Sequence, residues 1–285
     1  MIKIAAMLLV VITTTNAVAQ ELPQPSPAAK VEQRIGLTDV TVEYSRPSVK
    51  GRKVFGELVP NDVIWRTGAN FNTLVTFTDD VQINGQPLSA GTYSVFTIPS
   101  GKNPEWTVMF NSIIDAWGEG KYDKVNDVVT ISVEPKTITK VESMQFSFDN
   151  LTNKSGDLIL AWDNVAISVT IGVDVDAKAW VNIKKAIKEA TEENKASIYR
   201  NSAKYTVTSN KQLKEGLAWI NESIKAKEYW YSYWVKADVQ HALGDNDGAI
   251  TSAKKAIELG EAAAKEDGKE FGYKDRLEKA ITEFK

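Results

Sequence analysis

The sequence predicts an α+β chain in which an antiparallel β-sandwich precedes an all-α, tetratricopeptide-like domain of helical hairpins. Three observations predict this fold class. From about residue 37 to residue 175, apolar residues alternate with polar ones, which is the period of a half-buried strand. From about residue 176 onward, apolar residues recur at helical spacing. Within the helical part, residues of similar type recur 33 to 34 positions apart, the length of a helix–turn–helix repeat.

The beginning of the chain resembles a secretory signal peptide. Lys3 precedes an apolar run, and Ala17-Val18-Ala19 fits a cleavage site before Gln20. The run is about half of the roughly 20 residues that a membrane span needs, so we expect a mature chain without an integral membrane segment. The expected localisation is periplasmic or secreted, after cleavage near Ala19. The predicted parts are a signal peptide over 1–19, a leader or linker over 20–33, a β-sandwich over 34–175 and a helical domain over 176–285.

The strand predictions rest on alternation and on one turn. In the first strand, Val40, Val42 and Tyr44 alternate with Thr41 and Glu43. Similar alternation or bulky apolar runs predict strands over 92–98, 105–110, 129–133, 143–148 and 165–173. The dipeptide Asn84-Gly85 separates two short apolar segments and predicts a two-residue type I′ hairpin turn.

The helix predictions rest on apolar faces and on capping residues. Leu213, Leu217, Ile220 and Ile224 share one helical face, and Ser209 with Gln212 predicts a capping box ahead of them. The segment Ala242–Gly260 resembles a tetratricopeptide unit, with Gly244 ending its first helix. About two such units are expected, with capping helices over 176–190 and 269–284.

Composition and motifs exclude several classes of function. The formal net charge is −3, which gives no basic excess for nucleic acid. The chain has no Cys and a single His, which rules out disulfides, thiolate sites and His-containing zinc clusters. It lacks the P-loop and G-x-G-x-x-G patterns, so no cofactor and no metal are predicted.

Residues 45–73 form the most distinctive stretch, because five cations fall within twenty-one residues of it. One interpretation is an anion site, in which arginines donate as forks to a carboxylate, phosphate or sulfate. The other is structural, with the arginines pairing with Glu43, Glu57 or Asp62 and holding a long loop on the sandwich.

A second loop, 115–123, contains Trp117 as a candidate stacking platform. Its Glu119 and Asp123 are either a carboxylate pair for glycosidic chemistry or part of a solvated loop. The candidate ligand-binding residues are Arg46, Lys50, Arg52, Trp65, Arg66, Asn70, Trp117 and Tyr122, and no catalytic residue is assigned.

Several ordered motifs resemble a known family. SRPSVKGRKVFGELVP, WRTGAN, AGTYSVFTIP and EWTVMFN, followed by a WG…YD pair, are similar to the bacterial exported family called domain of unknown function 2911. The resemblance spans roughly residues 34–173 and implies an exported protein, a role for the cationic loop, and no assigned reaction. The chain departs from the family pattern at Asn61-Asp62, where Tyr-Gly is usual, and at Phe71, where an acidic residue often follows GAN.

The favoured functional hypothesis is an exported, non-enzymatic binding or assembly module. Helical repeats commonly bind a peptide or protein in a concave groove, and the sandwich loop offers a site for an anionic small ligand or a glycan. The alternative is a hydrolase that acts on an anionic or glycan substrate at the Arg-rich loop. A further alternative makes the sandwich a scaffold only. Helical aromatics that stay exposed would mark a partner surface, and the candidates are Trp219, Trp230, Tyr231 and Trp234.

Overall fold

The computed structural model describes residues 22–285, so the predicted signal peptide lies outside the described part of the chain. The chain divides into two compact units, the first ending at Gly172 and the second running from Val173 to Lys285. The first contains antiparallel sheets and the second contains six helices among the described residues. The predicted α+β fold class is therefore confirmed.

The first unit, hereafter the sandwich, has ten strands among the described residues. They are β1 Ala28–Ile35, β2 Thr38–Ser45, β3 Thr73–Phe77, β4 Val81–Ile83, β5 Gln86–Leu88, β6 Gly91–Ile98, β7 Trp106–Asn111, β8 Asp127–Val133, β9 Lys136–Asp149 and β10 Ser155–Val173. One sheet has the order β1-β2-β3-β6-β7-β8, and the other has the order β5-β4-β10-β9.

The two sheets share one apolar core. Across it, the rings of Tyr44 on β2 and Phe146 on β9 meet edge-on at 4.9 Å, and the Phe146 amide donates to the Tyr44 hydroxyl at 3.1 Å. Trp162 on β10 is among the largest fully buried side chains. Burial of the alternating positions is what the period of two predicts, because successive side chains of a strand point to opposite faces.

The hairpin prediction is confirmed, and one boundary was wrong. Asn84 and Gly85 have φ values of 46° and 84° and connect β4 to β5. By contrast, β1 begins at Ala28, inside the segment predicted to be a leader. This edge strand pairs along its whole length with β2, but its side chains are mostly exposed or half-buried. Backbone hydrogen bonds rather than an apolar face hold it, and these leave little trace in the sequence.

The second unit, hereafter the helical unit, contains α1 Val175–Lys188, α2 Lys195–Ser209, α3 Leu213–Ala226, α4 Trp230–Ala242, α5 Asn246–Glu266 and α6 Lys274–Glu283. The most extensive packing joins α2 to α3 and α4 to α5. Gly244, with φ 81°, follows α4 as predicted. Among residues 22–285, no helix is both long and apolar enough to cross a membrane.

The predicted capping box does not form. Ser209 is the last residue of α2, and its hydroxyl donates back to the Tyr205 carbonyl at 2.8 Å. Asn210, in the left-handed region, ends α2, and Gln212 precedes α3 without a side-chain capping bond. Residues 209–212 thus form a tight turn between two helices, and the spacing alone did not distinguish the end of one from the start of the next.

Close helix packing depends on small residues. A Cβ atom at Gly216 of α3 would lie 2.2 Å from the Thr206 Oγ1 of α2 and 3.0 Å from its Cβ. Both residues are buried, so the two helices meet at a glycine contact.

We expect Gly216→Ala to destabilise the helical unit. In an exposed helix the change would add about 1 kcal/mol of stability, but here the methyl group overlaps Thr206 and should cost about 1–3 kcal/mol. Urea unfolding followed by circular dichroism at 222 nm measures this. The control is Ala218→Gly at an exposed position of the same helix, where only the propensity loss of about 1 kcal/mol is expected. A gain in stability for Gly216→Ala would contradict the packing argument.

Candidate functional sites

The connection from β2 to β3, residues 46–72, is anchored by Trp65. The Trp65 amide donates to the Thr97 carbonyl at 2.8 Å, and the Thr97 amide donates back at 2.9 Å. The buried indole stacks on Trp162 at 5.9 Å between ring centroids, and Phe55 lies edge-on to both rings. Trp65 therefore fixes the loop on the sandwich, and its indole is not available for stacking on a ligand.

Two of the three candidate arginines hold backbone carbonyls. Arg46 Nε donates to the Met144 carbonyl at 2.9 Å, which ties the loop to β9. Arg52 donates to the carbonyls of Val49 and Ser48 at 3.0 and 2.6 Å. The structural interpretation of these two residues is supported, although their acceptors are not the predicted carboxylates. Glu57 instead pairs with Lys53 at 3.4 Å.

Arg66 pairs with a carboxylate from the second loop. Its backbone amide donates to Glu119 Oε1 at 3.1 Å and its Nη1 donates to Glu119 Oε2 at 3.3 Å. A side chain at Gly118 would place its Cβ 2.6 Å from Arg66 Nη1, so the glycine makes room for the guanidinium group. Arg66 Nε is buried and has no hydrogen-bond partner among the described residues. The ion pair joins the two loops that the sequence analysis treated separately.

The other candidates have separate structural partners. Lys50 has φ 48°, and its backbone amide donates to Glu142 at 2.8 Å while its side chain is exposed. Asn70 Nδ2 donates to the Ser26 carbonyl at 3.1 Å. Tyr122 donates to Asp127 at 2.8 Å, and burial raises the pKa of the Tyr122 phenol well above its usual value.

A cleft of about 440 Å³ brings together part of the predicted site. Arg52, Trp65, Arg66 and Glu119 line it, together with the buried Trp162. The other five candidates do not line it, and they are Arg46, Lys50, Asn70, Trp117 and Tyr122. The eight candidate residues therefore do not form a single site. Within the cleft, the carboxylate of Glu119 is already paired with Arg66.

Phe71 and Trp117 form an exposed aromatic pair beside this ion pair. Their rings meet edge-on at 4.6 Å, and the side chains are 63% and 62% exposed. Phe71 was noted in the sequence only as a departure from the family pattern. In the structure its ring packs against Trp117.

The helical unit contains a larger concavity that we call the aromatic groove. It is lined by Lys204 of α2, by Tyr229, Trp230, Tyr231, Trp234 and Asp238 in and just before α4, and by Tyr273, Arg276, Lys279, Ala280, Glu283 and Phe284 in and flanking α6. Its volume is about 690 Å³. Trp230 stacks on Tyr273 at 5.2 Å, and Trp234 lies 6.1 Å from Trp230 and 5.8 Å from Tyr273.

Cations lie around these rings. The Arg276 guanidinium lies over the Trp234 ring at 5.1 Å, and Lys204 Nζ donates to the Tyr231 hydroxyl at 2.7 Å. Burial raises the pKa of Asp238 to about 6, although Lys204 and Arg276 oppose the shift. Lys279 pairs weakly with Glu283 at 3.8 Å. The groove thus combines aromatic surface with a net positive rim.

The comparisons with known proteins cover mainly the sandwich. Residues 26–171 match the family described as Protein of unknown function (DUF2911), and this is just over half of the chain. The chain belongs to the DUF2911 family. No curated protein and no solved structure matches it.

The DUF2911 match ends before α1, so the groove lies outside the family-defined region. Sequence reasoning noted Trp230, Tyr231 and Trp234 but missed Tyr273 and Arg276, which approach from α6. Nothing in the sequence around Tyr273 and Arg276 indicates that these side chains contact α4. Among residues 22–285, no group of three or more His, Asp or Glu side chains is placed to hold a metal ion.

We expect Asp238 to impose a pH dependence on stability. Its folded pKa is raised from 3.8 to about 6, so the folded state binds more protons than the unfolded state between these values. Stability therefore falls as pH rises from about 4 to about 6, relative to Asp238→Asn, by between about 1 and 3 kcal/mol in total. Denaturation of both proteins at each pH measures the difference. The control is Glu193→Gln, which removes an exposed carboxylate between α1 and α2. Its free energy of unfolding should depend on pH as that of the wild type does. If the free energies of unfolding of the wild type and Asp238→Asn differ by the same amount at every pH, the raised pKa of Asp238 is contradicted.

Proposed function

We propose that the protein is an exported, non-enzymatic binding module whose helical unit holds an extended peptide in the aromatic groove. The peptide would carry a proline or aromatic residue and an acidic group. The observation that carries this proposal is the set of packed but incompletely covered rings on the floor of the groove. Export rests on the predicted signal peptide.

The exposed aromatic surface supports a ligand-binding role. Trp230 and Trp234 are half-buried, and Tyr273 remains 48% exposed although it stacks on Trp230. Tyr and Trp are enriched at interface hot spots because they bury much apolar area and lose little rotamer freedom. Grooves lined by aromatic side chains also accept extended, proline-containing segments. A contiguous exposed aromatic surface of this kind is typical of an interaction site in a soluble protein.

The charges of the rim support an acidic partner. Lys204, Arg276 and Lys279 face the groove with Asp238 and Glu283. Among the described residues, no carboxylate forms an ion pair with Arg276, which lies over an aromatic ring instead. Its fork of donors is therefore available to a carboxylate. Protonation of Asp238 would make the rim more positive still.

The rival hydrolase needs a free acid and a free base near the arginines. Glu119 accepts two bonds from Arg66, and Asp123 accepts from the Val125 amide at 3.0 Å in a short turn. Both carboxylates are thus already engaged as hydrogen-bond acceptors. This favours a binding role for the sandwich as well.

The test is selection of random octapeptides on the full mature chain, followed by calorimetry of the enriched peptides. We expect proline- or aromatic-rich acidic sequences, with Tyr273→Ala weakening binding at least tenfold, which is about 1.4 kcal/mol. Arg276→Gln should weaken binding and flatten its salt dependence, because one charge pair is lost. Val181→Ala, an exposed position on α1 outside the groove, is the matched control. Failure to enrich any sequence, or equal binding by Tyr273→Ala, would refute the proposal.

A further inference from the structure

The exposed pair Phe71–Trp117 on the sandwich is the feature that neither the fold nor the groove explains. Two large aromatic side chains lie together with nearly two thirds of each exposed to solvent. Single exposed apolar residues are common, but an adjacent pair of this size is unusual without a partner.

The pair is held rigidly by contacts from three directions. Phe71 and Trp117 form an isolated antiparallel bridge, and the Asn72 amide donates to the Ala116 carbonyl at 3.3 Å. Lys121 closes the loop from the other side, because its Nζ donates to the Asp115 carbonyl at 3.0 Å and to its carboxylate at 3.1 Å.

The Arg66–Glu119 ion pair fixes the same loop from below. Three sets of contacts, the bridge with its hydrogen bond, the Lys121–Asp115 pair and the Arg66–Glu119 pair, therefore hold Trp117 in its exposed position. A preformed platform avoids the entropy cost of ordering a loop when a ligand binds.

The size and surroundings of the pair indicate the class of ligand. Two rings are too small a patch for a stable protein interface, which buries about 800 Å² on each partner. The loop carries Asp115, Glu119 and Asp123 against Lys121, and this acidic balance disfavours an anionic membrane surface. A sugar ring fits better, because its C–H face stacks on the negative face of an indole while its hydroxyls meet polar groups at the edge.

We propose that Phe71 and Trp117 form a stacking platform for a neutral saccharide, with the Arg66–Glu119 pair and the adjoining cleft hydrogen-bonding to its hydroxyl groups. The ligand is neutral because the guanidinium groups nearby are already engaged. Arg52 donates to two backbone carbonyls, and Arg66 is balanced by Glu119. This site is separate from the aromatic groove, and the inference does not depend on the peptide proposal.

The test is titration of the full mature chain with cellohexaose, chitohexaose, maltohexaose and hexagalacturonate, followed by calorimetry. We expect at least one neutral oligosaccharide to bind with an affinity that does not depend on salt. Trp117→Ala should weaken that binding at least tenfold, and Trp117→Phe should retain most of it because a ring remains. Both changes are at an exposed position, and circular dichroism verifies that the variants fold.

Tyr273→Ala in the aromatic groove is the matched control and should bind the saccharide as the wild type does. The inference is overturned if none of the three neutral probes binds, or if Trp117→Ala binds them unchanged. It is also overturned if only hexagalacturonate binds and that binding weakens with salt, since this would identify an anion site instead.

Discussion

The sandwich unit depends on one aromatic contact, the stacking of Trp65 on Trp162. The connection over residues 46–72 leaves β2 and returns to β3, its hydrogen-bonded neighbour, so the strands themselves do not fix its path. Burial of Trp65 against Trp162, with the reciprocal bonds to Thr97, supplies that constraint. Once Trp65 is fixed, its chain neighbour Arg66 meets Glu119 and Phe71 meets Trp117. The exposed Phe71–Trp117 pair thus has its position because a buried indole fixes the same end of the loop, six residues before Phe71.

The arginines of this chain have two different roles. Those of the cationic loop stabilise the fold, whereas one in the helical unit has no such structural partner in the described part of the chain. Arg46 and Arg52 satisfy backbone carbonyls that a long irregular segment would otherwise leave without partners. Arg276 in the helical unit is different, because its planar group covers an indole and forms no ion pair with a carboxylate among residues 22–285. The density of arginines in the sequence favours the cationic loop as an anion site. The hydrogen-bond partners of Arg46 and Arg52 argue against that loop, and we therefore propose Arg276 as the contact for an acidic ligand.

The period of the apolar residues was enough to predict the two sheets and the helices, and Asn84-Gly85 was enough to predict one hairpin. These features are local, and each has a direct physical cause in backbone geometry. The edge strand β1, the turn at Ser209 and the partners of the arginines could not be predicted in the same way. Each depends on which other segment of the chain packs against it in the folded protein. The groove shows this most clearly, since Lys204, Trp234 and Arg276 come from three helices that are distant in sequence.

The charged character of β1 has a consequence for self-association. An edge strand exposes unpaired backbone groups that can recruit another chain into the sheet. Here Lys30 and Glu32 form an ion pair at 2.6 Å along that edge, and Arg34 binds Asp39 at 2.7 Å. A strand from a second copy would have to approach through these charges and their hydration. The six-stranded sheet is therefore protected against growth at this edge, which matters for a chain that has no disulfide to hold it closed.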